Sequence, residues 1–109
     1  MRQLITYLGL CLLSIPLFAE EPGLELAKKS GCLACHRVDQ KLVGPAWADV
    51  AERYKGDAKA KQTLIKKVKT GGKGNWTEVT GGAVMPPYSP RVPDQDIESL
   101  VTFVLSLKK

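Results

Sequence analysis

The chain has 109 residues, 16 of them Lys or Arg and 11 Asp or Glu, for a formal net charge of +5 at neutral pH. That length allows one domain at most, with so little buried surface that a disulfide, a metal or a prosthetic group is commonly needed to stabilise it. The basic excess is modest, the bases read as scattered and aromatic residues make up 6%. This argues against nucleic-acid binding, which gathers Lys and Arg densely among stacking rings, and leaves most of the charges as a solvated basic face.

Residues 1 to 19 begin with Arg2, run through an apolar stretch from Leu4 to Phe18 that contains Pro16, and close on the small residue Ala19. This is the layout of a secretory signal peptide cleaved after Ala19. The stretch is shorter than the ~20 apolar residues of a bilayer crossing, and Glu20 and Glu21 follow at once, so no stable membrane insertion is expected. An uncleaved membrane tether is the alternative, because Leu17 is larger than a clean cleavage site prefers. The lipoprotein reading of L-G-L-C at residues 8 to 11 is weaker, since Leu10 is bulky and the preceding apolar run is short. Cleavage leaves residues 20–109 as the mature domain, discards Cys11, and removes Arg2, so that the net charge falls from +5 by one. Cys32, Cys35, His36 and Met85 are then the only Cys, His and Met of the working molecule.

No repeat or low-complexity tract appears, and the apolar spacing is helical rather than alternating, which predicts an all-α domain. The first helix is expected from Pro22 to about Ser30, with Leu24, Leu26 and Ala27 apolar and Gly31 at its end. The second follows Gly44 and Pro45 and presents Trp47, Val50, Ala51 and Tyr54 before Gly56. Asp57 is placed to cap the third, whose apolar residues Leu64, Ile65 and Val68 run to a stop at Gly71 and Gly72. In the fourth, from Asp94 onward, Ile97, Leu100, Val101, Val104 and Leu105 recur at helical spacing, with acids at the start and Lys108 and Lys109 at the end to match the helix dipole. Between the third and fourth lies a Gly- and Pro-rich stretch from residue 71 to 93 that carries Trp76 and Met85. A loop this long in so small a domain is usually functional or disordered; its large apolar side chains suggest that it wraps over something apolar.

The segment S-G-C-L-A-C-H-R, residues 30 to 37, bears the chemistry. Structural zinc takes four ligands, usually as two pairs, and no second pair follows Cys32, Cys35 and His36. A thioredoxin-like dithiol sits after a strand in a βαβ setting, and no strand pattern precedes Cys32. Covalent c-type haem attachment uses the C-x-x-C-H spacing: two thiols bond the two vinyl groups, and the adjacent His36 brings an imidazole nitrogen to the iron. Haem also supplies the apolar core that a short chain lacks. For the opposite face of the iron the candidate is Met85, a soft thioether in a loop flanked by Gly81 and Gly82 and by Pro86 and Pro87. Against it stands the plain reading of a core-filling Met. Glycines allow the backbone close to a ring, and prolines stiffen the loop that presents the sulfur.

The runs G-C-L-A-C-H-R-V-D-Q-K-L-V-G-P-A-W-A-D-V-A, K-T-G-G-K-G-N-W, V-M-P-P and F-V-L-S-L-K-K resemble the small bacterial class I cytochromes c, short periplasmic monohaem electron carriers of denitrification and aerobic respiration. The resemblance covers nearly all of residues 20–109. It implies about four helices wrapped around one covalent haem c, with the first and last helices crossing where Gly31 meets Phe103. It implies His36 and Met85 as the two iron ligands and Cys32 and Cys35 as the thioether residues. Pro45 matches a carbonyl that accepts the second ring N–H of the proximal His, and Trp76 matches an indole N–H that reaches a haem propionate. Lys67 stands where relatives carry Arg for the same propionate, a point charge in place of a fork. Two departures stand out: the segment from Thr77 to Val84 is longer than in the shortest relatives, and Tyr88 occupies the neighbourhood of an Asn amide that bonds the Met sulfur. Trp47 reads as a core residue near the haem edge.

The implied function is single-electron transfer in the periplasm, without catalysis, because both axial positions are filled. The implied partners are larger redox proteins such as a cytochrome bc-type complex, a nitrite reductase, a terminal oxidase or a peroxidase, met by a monomer. An apolar rim of Leu33, Leu42, Val43 and Val84 is expected at the exposed haem edge, ringed by lysines that steer docking. A haem sensor or peroxidase-like enzyme and a dithiol oxidoreductase are the rival readings.

Overall fold

The computed structural model describes residues 9–12 and 21–109. The signal peptide and its cleavage point, and most of the lipoprotein segment, lie outside the described residues. Among the described residues there are five α-helices and no β-strand: α1 Pro22–Lys29, α2 Trp47–Arg53, α3 Ala60–Thr70, α4 Thr77–Thr80 and α5 Asp94–Ser106, with a 3-10 turn at Cys32–Ala34 after α1. None of these helices is long and apolar enough to cross a membrane.

The helix ends follow the expected chemistry. Pro22 opens α1, Glu25 lies in its first turn and Lys28 and Lys29 in its last, charges that oppose the helix macrodipole at both ends. Asp94 and Asp96 do the same for the start of α5. At α3 the cap lies two residues later than the sequence suggests. The Asp57 carboxylate accepts the Lys59 amide at 2.8 Å, a tight local turn, and Lys59 itself precedes the first helical residue.

Helix α5 is the hub, packing against α1, α2 and α3. Ile97 is fully buried and Leu100, Val101 and Val104 nearly so, meeting Ala27 of α1 and Trp47 and Val50 of α2. Each such aliphatic side chain contributes about 1.5–3 kcal/mol by leaving water. Two ion pairs fasten the α3 and α5 flanks, Lys61 to Glu98 at 3.1 Å and Lys69 to Asp94 at 3.3 Å. The α1–α5 crossing is closed by a glycine other than the one expected. A Cβ on Gly23 would fall 2.2 Å from Cγ of Phe103, whereas Gly31 has only the Arg91 Nη2 atom near it, at 4.0 Å. Gly31 serves the turn after α1 instead, with φ +87°, a left-handed conformation that glycine adopts without a Cβ penalty.

The stretch from residue 71 to 93 is more structured than a wrapping loop. Thr77–Thr80 forms a single helical turn closed by left-handed Gly81, too short for apolar periodicity to reveal. The amide of Gly72 donates to the Met85 carbonyl at 2.9 Å and that of Met85 to the Gly72 carbonyl at 3.1 Å, while the Tyr88 amide donates to Val68 of α3 at 3.1 Å. The Met85 main chain is thereby fastened to the end of α3.

Candidate haem site

One wall of the site grows from the C-x-x-C-H turn. The 3-10 turn sets Cys32 inward, and the His36 amide donates to the Cys32 carbonyl at 3.0 Å, while the Gly44 amide donates to that of Cys35 at 2.8 Å. His36 Nδ1 lies 3.0 Å from the Pro45 carbonyl. A carbonyl only accepts, so Nδ1 carries the proton and Nε2 keeps its lone pair for a metal. Burial holds the imidazole below its ordinary pKa, with the Pro45 hydrogen bond acting in the opposite direction, so the neutral, ligating form is favoured. The ring is also wedged on its faces. Trp47 stacks on it, centroids 5.4 Å apart at 21°, and is itself held edge-on by Phe103 at 6.1 Å and 88°. Gly44 adjoins the ring so closely that a Cβ there would lie 2.4 Å from the His36 Cε1 atom. Trp47 is therefore a positioning residue as well as a core residue, a role that only the tertiary structure exposes.

The opposite wall is built from Leu64, Lys67 and Val68 of α3, Trp76, and the segment around Met85, which is half-buried. Lys67 lines the same cleft but donates from Nζ to the carbonyl of Gly71 at 3.3 Å, a local contact that helps close α3. Tyr88, three residues after Met85, is buried in the core cluster with Cys32, and the Arg91 guanidinium lies 5.0 Å from its ring centroid. Burial pushes its phenol pKa up. Of the expected rim, Leu42, Val43 and Val84 are exposed, while Leu33 is half-buried against the core. Helix α3 carries Lys61, Lys66, Lys67 and Lys69 and no carboxylate, with Lys61 and Lys69 paired to α5.

The sequence reading missed Arg53. Its guanidinium lies 3.4 Å from the centroid of the Trp76 ring, with Nη1 donating to the Asn75 carbonyl at 2.6 Å and Nη2 paired with the Glu78 carboxylate. An Arg at the exposed end of a helix carries no sequence signal of such a contact.

Cys32, Cys35, His36, Pro45, Trp76 and Met85, the residues expected to hold the cofactor, line one cleft whose atom-free space, its open mouth included, is about 1060 Å³. Its walls are otherwise almost entirely apolar, with Val50, Leu64, Val68, Leu100, Val101 and Val104 among them. Two unpaired thiols, an imidazole with one free nitrogen and a thioether in an apolar slot fit a covalently attached haem. They fit a zinc site or a dithiol oxidoreductase poorly. Among the described residues no cluster of three or more His, Cys, Asp and Glu side chains is arranged to hold a metal ion, and burial raises the Cys32 thiol pKa, the reverse of a reactive dithiol.

The family model for cytochrome c matches residues 20–108. The chain belongs to the cytochrome c family. It is 51% identical over 84 residues to the cytochrome c-551 of Allochromatium vinosum, covering 77% of this chain and 84% of that protein. It is 42% identical over 91 residues to the cytochrome c-551 of Pseudomonas aeruginosa, covering 84% and 81% respectively. The crystal structure of wild-type Nitrosomonas europaea cytochrome c552 superposes with a TM-score of 0.70 at 41% identity, over 78% of this chain and 99% of that one. The all-α class I cytochrome c fold is thus shared. As a cytochrome c, the chain carries one covalent haem c with its iron and acts as an electron carrier.

Proposed function

We propose that Cys32 and Cys35 form the two thioethers to the haem, that His36 Nε2 and the Met85 sulfur are the axial ligands, and that residues 20–109 form a periplasmic carrier released from a signal peptide at 1–19. One observation supports this above the others: both thiols, the imidazole and the thioether converge on a single apolar cleft. When bound, haem c supplies one-electron exchange between ferrous and ferric iron.

The residues of the chain do the rest. Pro45 fixes the His36 tautomer through the 3.0 Å contact, and Trp47 and Gly44 hold the ring plane. The Gly72–Met85 hydrogen bonds hold the sulfur's main chain in one place, so the ligand need not move when the charge on iron changes. Trp76 offers its indole N–H to a propionate carboxylate. The apolar walls keep water from the pocket and so limit solvent rearrangement. His36 and Met85 together would hold the iron from both sides of the cleft and leave it no open position for a substrate, which supports a carrier rather than an enzyme. The exposed Val43 and Val84 at the cleft provide the apolar contact through which electrons pass to larger respiratory redox proteins, in brief encounters that bury little surface.

The test is the visible spectrum and intact mass of the exported protein, with a denaturing gel stained for haem. A coloured product, heavier than residues 20–109 by one haem and retaining stain after denaturation, is expected. A pale product with the mass of its bare amino acids overturns the proposal. Tight carbon monoxide binding by the reduced native protein overturns the Met85 assignment alone.

A further inference from the structure

We propose that Arg53 is a positioning residue that acts on the haem pocket through Trp76. Its guanidinium covers the Trp76 ring at 3.4 Å from the centroid while its two terminal nitrogens grip the chain on either side of that ring, at the Asn75 carbonyl and the Glu78 carboxylate. The inference rests on the assignment of Trp76 to the haem made above.

The placement of Arg53 explains why one residue can do this. It is the last residue of α2, and Trp47 is the first. Trp47 stacks on His36, so a single rigid helix, about 9 Å from first to last residue, contacts the imidazole wall at one end and the tryptophan wall at the other. Three attachments to residues 75, 76 and 78 leave the indole little freedom to turn. The Trp76 ring so held lines the cleft.

A cation over the face of an indole draws on its π electrons and makes the ring N–H a stronger donor. A stronger hydrogen bond to a haem propionate would temper that carboxylate's negative charge and so favour the ferrous state. The bare charge of Arg53 contributes little by comparison. Its side chain is 38% exposed and Glu78 neutralises it at contact, so its longer-range field is screened. What remains is the short-range contact, and that contact needs a planar fork. Lysine has the charge without the plane.

The experiment is a redox titration of the holoprotein as wild type, Arg53→Met, Arg53→Lys, Trp76→Phe and the Arg53→Met/Trp76→Phe double variant. It is paired with NMR exchange rates of the two indole N–H groups in the reduced state. Arg53→Met and Arg53→Lys are expected to lower the midpoint potential, and Arg53→Met is expected to add nothing once Trp76 is Phe. Exchange of the Trp76 N–H should quicken about tenfold in Arg53→Met, with Trp47 unchanged as the internal reference. An equal shift in both backgrounds, a wild-type potential in Arg53→Lys, or unaltered Trp76 exchange overturns the inference. If Trp76→Phe shifts the potential and Arg53→Met does not, only the positioning role falls; if Trp76→Phe has no effect, the haem assignment of Trp76 falls with it.

Discussion

Gly44 is packed against the His36 imidazole with no room for a side chain: a Cβ at residue 44 would stand 2.4 Å from Cε1 and 2.8 Å from Nδ1 of the ring. Gly44 is buried, so the imidazole or the backbone must shift to admit a methyl group. Gly44→Ala is expected to cost about 1–3 kcal/mol, as overpacking does, and to lower the melting temperature by roughly 4–8 °C per kcal/mol. The His36–Pro45 hydrogen bond should weaken with it. Thermal unfolding of the holoprotein and the exchange rate of the Nδ1 proton measure the two effects.

The α1–α5 crossing discriminates between two glycines. Gly23→Ala drives a methyl into the Phe103 ring, 2.2 Å from Cγ, and through Phe103 presses on Trp47. Gly31→Ala meets only the Arg91 Nη2 atom at a van der Waals distance of 4.0 Å and the strain of its φ of +87°, about 1–2 kcal/mol. Gly23→Ala is therefore expected to be the more destabilising, and denaturant titration of both variants against wild type checks the order.

These two glycines also show where sequence reading stops. That the C-x-x-C-H turn and Met85 share one cleft was legible because few side chains of their kind exist in the chain and the rest of the sequence offered no second ligand pair or preceding strand to serve another chemistry. The long helices were legible from apolar period. Gly23 was not, since a glycine in the first turn of a helix looks like a consequence of Pro22 rather than a contact with a residue 80 positions away. Arg53 and Trp47 escaped for the same reason: their partners are chosen by how helices pack, which no local pattern encodes. Thr77–Thr80 escaped because one turn is too short to show a period.

Gly71 lies at the junction of α3 and the methionine segment. A Cβ there would lie 2.4 Å from the Met85 carbonyl oxygen, and its φ of +70° with ψ of −159° belongs to a region that is essentially restricted to glycine. Gly71→Ala should displace the main chain that carries Met85, at a cost of about 1–3 kcal/mol of strain. The expected signature is carbon monoxide binding by the reduced variant at concentrations that leave the wild type unchanged.

The Arg53–Glu78 pair gives a pH dependence of defined sign. The hydrogen bond from Arg53 is the main cause holding the Glu78 carboxyl below its usual pKa. A depressed folded-state value means that the stabilisation is complete above the unfolded value of about 4.3 and is lost as pH falls through the lower folded value. Wild type and Glu78→Gln should differ in melting temperature at neutral pH and converge in that acidic window. Paired thermal melts from neutral pH downward follow the convergence.

Charge should govern encounter rates. With a net charge of +5 that falls by one on removal of residues 1–19, and with Lys66 and Lys67 of α3 outside the two ion pairs to α5, electron exchange with an acidic redox partner is expected to slow as ionic strength rises, since screening shortens the reach of the attraction. Stopped-flow rates across a salt series test this, and a flat profile removes steering from the account.

The paired amide bonds at Gly72 and Met85 act as a drawstring at the neck of the excursion through residues 73–84. The knot holds the Met85 main chain to the end of α3. Sequence drift in that pouch, outside Trp76 and its contacts at Asn75 and Glu78, can reshape the surface offered to other proteins while the Met85 main chain stays in register, so partner preference can change with little disturbance of the segment that presents Met85.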